Sequence, residues 1–352
     1  MTMRRPAGRT SVPAMTRTSA PSTDWSESVA PDEAAGQEDF SRTIGQISQR
    51  VDRRHGPGRA FHRKQIAGLR GRLTVPAHLP AAAAQGLFAA PGDYDVLVRL
   101  SNGAITPQAD ALPDIRGFAL SVRGVSGPGA LGATTDRQDF LLINLPSFGF
   151  RDSAEFAQIV PLAAGGQAQL LAGLVKQRGP VGGLLEATRL TRALSRWFPG
   201  FGTATFYSSA PMRWGAYAGK LRLLPQQHGW DPRANRDWAA DVTRRLHAGP
   251  LVYALQVQLF VDEQRTPIED GRAVWSEADS PWLTVGVLTL PQQDPTSPAG
   301  QQLAAEVAAD AFDPWAALAE HRPLGEIMRA RKIAYYASQQ ARHADSSAAD
   351  QS

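Results

Sequence analysis

The chain has 352 residues, a formal net charge of +4, 43% hydrophobic and 20% charged residues, and no cysteine. That length can bury a large core, and the composition is that of a globular protein. Without cysteine there are no disulfides, zinc thiolates, iron–sulfur clusters or cysteine nucleophiles, so any metal must be held by His, Tyr, Asp, Glu or Met. The small charge excess includes no basic run interleaved with aromatics, and nucleic acid is not an expected partner. No window approaches the roughly twenty apolar residues of a membrane span. The residues after Arg4 and Arg5 are Ser, Thr, Pro and Ala without an apolar core, so no signal peptide is well formed and a cytoplasmic location is expected.

Residues 1–38 are poor in large apolar side chains and rich in turn formers, which predicts a disordered N-terminal tail. Phe40, Ile44, Ile47 and Val51 then recur at helical spacing, and the run His55-Gly56-Pro57-Gly58 ends that helix. Four strand-like runs follow: Leu69 to Val75, Asp93 to Gly103, Asp114 to Gly124 and Gln138 to Pro146. Arg151 to about Leu194 reads as helices broken at Gly179-Pro180. Strands resume at Thr203 to Pro211, Tyr217 to Pro225, Leu251 to Asp262 and Pro281 to Pro291, with a helix over Trp238 to His247. Eight strands in two groups of four predict an antiparallel barrel, where closure removes exposed edges, with inserted and C-terminal helices, an α+β class. The domain is expected over residues 39–342, its last stretch, Phe312 to Arg342, helical. A polar tail is expected over 343–352.

Four groups of residues could carry chemistry. Arg331, Tyr335 and Arg342 are separated by four and seven residues, close to three helical turns, so they share one face. A guanidinium beside a phenol favours the phenolate, which can bind ferric iron. His62, in Arg59-Ala60-Phe61-His62, could move a proton because imidazole titrates near neutrality. Arg99 and Ser101 alternate on one strand face; a hydroxyl can orient an imidazole and an arginine can neutralise a carboxylate. Asn144, between Ile143 and Leu145, is either an amide facing a cavity or a residue that ends a strand before Pro146. A base, its orienter, a polar clamp, an anionic axial ligand and several arginines form the inventory expected around a haem.

These motifs, in this order, resemble the haem catalases, specifically their short, barrel-only catalase-like peroxidases, from about Arg50 to Arg342. RAFH resembles the family's Arg-x-x-His, which implies His62 as distal base and Arg59 near a propionate. RLSNG resembles Arg-Phe-Ser-Thr, implying that Ser101 supports His62 and Arg99 meets a propionate. DFLLINLPSFGFRDSAEF is similar to the Asn-Asn-Thr-Pro-x-Phe-Phe-x-Arg-Asp run, implying Asn144 as the distal amide, with Phe148 and Phe156 packed near the haem. RKIAY resembles Arg-x-x-x-Tyr, implying Tyr335 as the iron ligand, Arg331 as its partner and Arg342 as a further propionate contact. The resemblance implies haem b, decomposition of hydrogen peroxide or organic hydroperoxides, and an unidentified reducing donor. A peroxidase bias with some catalase activity is expected, because a barrel without a C-terminal helical domain offers a shorter route to the haem. Alternatives are rearrangement of a fatty-acid hydroperoxide, as in allene oxide synthase relatives, and a non-catalytic barrel binding haem or another apolar ligand. A homo-oligomer is compatible with all of these.

Overall fold

A computed structural model of the chain describes residues 19–164 and 167–342. Helix α1 (Glu33–His55) opens the fold, with Phe40, Ile44, Ile47 and Val51 on its buried face and Gly56 (φ 77°) ending it. Four strands follow as a meander: β1 (Gln65–Val75), β2 (Gly92–Asn102), β3 (Arg116–Pro128) and β4 (Thr134–Ile143). Helices α2 (Ser153–Ala164) and α3 (Gln167–Leu194) interrupt the sheet before β5 (Phe206–Tyr207), β6 (Met212–Trp214) and β7 (Tyr217–Pro225). Helix α4 (Trp238–Ala248), β8 (Leu251–Leu259), β9 (Trp282–Leu290), α5 (Pro298–Ala309) and α6 (Glu326–Arg342) complete the order.

The strands pair as β5-β4-β3-β2-β1-β9-β8-β7, and β5 also pairs with β7. Eight antiparallel strands therefore close into a barrel, as the alternating pattern predicts, with β6 as a short addition beside β7. The barrel is filled by side chains that alternate along the strands, among them Leu69, Leu73, Val98, Leu100, Phe118, Leu120, Phe140, Leu142, Leu223, Tyr253, Leu255 and Leu288. Burying each large apolar side chain contributes roughly 1.5–3 kcal/mol, so this interior is the main source of stability. The intervening residues of β2, β3 and β4, including Arg99, Ser101, Gly117, Leu141 and Ile143, point to the outer face. Helices α1, α2 and α6 pack together through Phe40, Ile44, Phe156, Val160 and Ala330.

Two expectations change. The stretch from Phe312 to Arg342 is α-helical only from Glu326, with one 3-10 turn at Ala319–His321 before it. Phe312 is left-handed (φ 43°), Gly325 has φ 88°, and Arg322, before Pro323, is extended as a residue preceding proline prefers. Upstream of it the sequence pattern passed over α5, whose Ser297 hydroxyl accepts from the Gly300 N–H at 3.1 Å and whose first residue is proline. Of the tail expected over 1–38, residues 1–18 lie outside the described residues. Residues 19–32 run along the barrel, because Trp25 donates its indole N–H to the Ala216 carbonyl (2.9 Å), the Ser22 N–H pairs with the Phe260 carbonyl (2.9 Å) and Glu27 bridges to Arg322 and Arg329. One tryptophan and a carboxylate supply the hold that low apolar content conceals. Residues 343–352 lie outside the described residues. No helix among those described is long and apolar enough to cross a membrane.

Candidate active site

A cavity lies between the outer face of β2, β3 and β4 and the helices α1 and α6. With its open mouth it encloses about 1330 Å3 of empty space. Its apolar wall includes Phe40, Ile44, Phe61, Ile115, Ile143, Phe148, Phe150, Phe156 and Phe312; its polar residues are Arg59, His62, Arg99, Ser101, Ser208, Ser209, Arg331, Tyr335 and Gln339. Among the described residues that line it there is no carboxylate side chain, whereas there are three arginines.

His62 sits in the loop before β1 in a left-handed conformation (φ 52°), its N–H donating to the Gly103 carbonyl at 3.2 Å. Its Nδ1 lies 3.0 Å from Ser101 Oγ. Strand pairing places Ser101 opposite Gly117, and a Cβ on Gly117 would fall 2.5 Å from His62 Nδ1 and 2.7 Å from Ser101 Oγ. The imidazole therefore rests against bare backbone, a reason for glycine at 117 that the sequence alone does not give. Burial first, and then the charges of Arg99, Arg331 and Arg59, push the His62 pKa down to about 3. At that pKa the imidazole is neutral at neutral pH, and in the tautomer that donates from Nδ1 to Ser101 Oγ the Nε2 lone pair is left free.

Arg59 donates to the Ala311 carbonyl (2.9 Å) and to the carbonyl of Asp310, tying the His62 loop to the end of α5. Arg99 donates to the His62 carbonyl (2.8 Å) and to Gln65 Oε1 (3.2 Å), so it fixes the loop as well as lining the cavity. On α6, Arg331 donates to the Tyr335 hydroxyl at 2.9 Å and lies over the Phe148 ring at 5.6 Å. Phe148 and Phe156 stack with centroids 5.8 Å apart. Neighbouring Tyr336 is 43% exposed, so Tyr335 is the phenol of this pair that faces the cavity. Arg342 ends α6, and its side chain lies outside the described residues.

Asn144 does not line the cavity. Its N–H donates to the Arg116 carbonyl (3.1 Å), and its side-chain Oδ1 accepts from the Arg116 N–H (2.8 Å). The amide thus ends the β3–β4 ladder by replacing the next backbone acceptor, the strand-ending alternative. Ile143, one residue earlier on β4, lines the cavity instead. Further cavity residues escaped sequence reasoning. Gln339, one turn beyond Tyr335, donates at 2.7 Å to Asp313 Oδ2, a carboxylate whose pKa burial pushes up. Phe40 and Ile44 are legible as a buried helical stripe, but nothing local says what the stripe covers. His321 is a core residue, its Nε2 accepting from the Leu87 N–H at 3.0 Å and its pKa pushed down to about 4 by burial.

No family model matches the chain, and no curated protein does. Solved structures do. A fungal catalase superposes with a TM-score of 0.65 at 18% identity, over 84% of this chain and 61% of its own length. A bacterial catalase superposes with a TM-score of 0.60 at 18% identity, over 99% of this chain and 69% of its own. The chain thus spans less than two thirds of the fungal enzyme. At this identity the likeness is one of architecture: the chain has the catalase fold, a closed eight-stranded antiparallel barrel with helices packed on its outer wall.

Proposed function

We propose that the protein is a haem b enzyme acting on peroxides, with organic hydroperoxides favoured over hydrogen peroxide. The observation that carries this reading is a neutral, hydroxyl-supported His62 in the same cavity as a phenol clamped by an arginine. The lining fits a haem in kind. Flat aromatic and aliphatic walls suit a porphyrin, three arginines without a lining carboxylate suit its two propionates, and Tyr335 supplies an oxygen ligand for ferric iron. Arg59, Arg99 and Arg331 would face the propionates or the ligand; Phe148 and Phe156 would pack on the ring.

His62 takes the proton from one peroxide oxygen through Nε2 and returns it to the other as the O–O bond breaks, so the departing oxygen leaves as an alcohol or water. Ser101 keeps the imidazole oriented throughout by holding Nδ1. A haem held by Tyr335 and the arginines would supply the two electrons that cleave that bond, to be restored by an organic donor or a second peroxide. Ile143 presents a methyl-bearing wall that suits the organic portion of a hydroperoxide and offers no hydrogen bond to a second small oxygen.

The test compares, on the haem-loaded protein, donor oxidation driven by cumene hydroperoxide with dioxygen release from hydrogen peroxide. A larger kcat/KM for the first is expected. Dioxygen release with no usable donor would overturn the preference. An epoxide-derived product from a lipid hydroperoxide, formed without any donor, would move the reading to rearrangement.

A further inference from the structure

Helix α3 is a hairpin. At Gly179 (φ 74°) the chain leaves helical geometry, and Pro180 starts a second arm that returns alongside the first. The arms meet backbone to backbone: a Cβ on Gly183 would lie 2.5 Å from the Val175 nitrogen. Their inner faces are fully used. Leu174 and Leu190 are buried with Ile159 against Phe150 of the cavity wall, Arg189 donates to the Gly149 carbonyl at 2.7 Å, and Glu186 is held by Arg178, Arg189 and Arg272.

The outer face is different. Val181, Leu184 and Leu185, at i, i+3 and i+4, share one side of the second arm and are 73%, 59% and 68% exposed. Eleven residues after Val181, about three turns on, the same side carries Arg192; this residue, Arg196 just beyond the helix and Lys176 on the first arm are all exposed. Between residues 167 and 196 the one carboxylate is Glu186, which is turned inward. The exposed side therefore combines an apolar step with cations and shows no negative side chain.

We propose that this hairpin docks the protein on the surface of an anionic lipid bilayer. Three apolar side chains on a rigid arm can enter the headgroup boundary while the flanking cations meet lipid phosphates, the arrangement of a peripheral amphipathic helix. A second copy of the chain is a poorer occupant, because a two-fold contact through this face would bring the cations of both copies together with no carboxylate of the hairpin to answer them. This inference does not rest on the catalytic reading.

The test is co-sedimentation of the full-length protein with phosphatidylcholine vesicles and with vesicles containing roughly a third phosphatidylglycerol. Binding to the anionic vesicles alone is expected. It should fall about tenfold or more in Leu184→Gln/Leu185→Gln, an exposed change that keeps helix propensity. It should also fall in about 1 M salt, where the Debye length is near 3 Å. Absent binding, equal binding to neutral vesicles, or no effect of the double substitution would each overturn the proposal. So would a dimer in sedimentation velocity that the double substitution dissociates, which would assign the face to a second copy.

Discussion

Arg331 donates to the Tyr335 hydroxyl at 2.9 Å from one turn earlier on α6 and also lies over that ring, 5.2 Å from its centroid. The guanidinium has no acceptor of its own, so the phenol oxygen receives this bond and keeps a lone pair for a second partner. With haem bound, Tyr335→Phe is expected to abolish the iron–phenolate absorption while leaving the far-ultraviolet circular dichroism intact. Arg331→Ala should weaken haem retention about 10- to 100-fold, the range for a residue that supports a metal ligand. An unchanged spectrum in Tyr335→Phe would remove Tyr335 as the ligand.

His62, with a pKa near 3, is neutral throughout the physiological range. The base form is present above that value and is lost only as pH falls through it. A pH profile of kcat/KM for the hydroperoxide should accordingly be flat on its acid side down to about pH 4. His62→Ala should cost about 10²- to 10⁴-fold, the usual contribution of a proton-transferring side chain. An acid limb near pH 6.5 would show that another group titrates, or that His62 is more hydrated than its surroundings imply.

Gly117→Ala tests the imidazole's seat. The new methyl would stand 2.5 Å from His62 Nδ1 and 2.7 Å from Ser101 Oγ, so one of them must move. Overpacking of this kind costs about 1–3 kcal/mol. The expectation is a fall in activity comparable to that of Ser101→Ala, with a smaller fall in melting temperature than a core truncation produces.

Ile143→Asn should reverse the substrate preference. An amide at the cavity wall offers a hydrogen bond to a small peroxide and takes apolar contact from a bulky one. A shift of about tenfold toward hydrogen peroxide in the ratio of kcat/KM values is expected, within the range for one pocket contact. Asn144→Ala, in contrast, should lower stability, because it leaves the Arg116 N–H without its acceptor.

Arg329 of α6 gathers Glu27, Glu33 and Glu269. The Arg329 side chain is the chief cause of the lowered pKa of Glu33. For Glu27, burial opposes but is outweighed by the Gly325 N–H, Arg322 and Arg329. Depressed carboxylates stabilise the fold above their ordinary pKa of 4.5, and that contribution is lost as pH falls below it. Arg329→Ala should cost about 3 kcal/mol at pH 7 by stranding the carboxylates. Denaturant melts should show its stability changing less with pH below about 4.5 than that of the native chain.

The eight strands were legible because alternation and punctuation by Gly and Pro repeat along the chain. So was the Arg331–Tyr335 pair, because helical spacing alone sets it. What failed were questions of one residue or of the third dimension. Ile143 is the last residue of β4 and Asn144 the first beyond it, and strand parity decides which enters the cavity; sequence could not show where that strand ends. The left-handed turn at His62 carries no glycine to announce it. The role of Gly117 depends on a side chain fifty-five positions away, and the packing of residues 19–32 depends on carboxylate partners far along the chain.

Strand β5 closes the barrel with two residues, Phe206 and Tyr207, each paired across to β7. Its hold is mainly aromatic: the Phe206 ring lies 5.1 Å from Phe118 and 5.8 Å from Phe201. Parting the ring of strands on either side of β5 would orphan few backbone groups, because β5 meets β4 through one residue pair and β7 through two. Because Ser208 and Ser209 follow at once and line the cavity, the hypothesis is that opening at β5 widens the way in for the proposed cofactor. That hypothesis predicts faster amide exchange at Tyr207 than at the middle of β3, with the difference shrinking once haem is bound; equal protection before loading would overturn it.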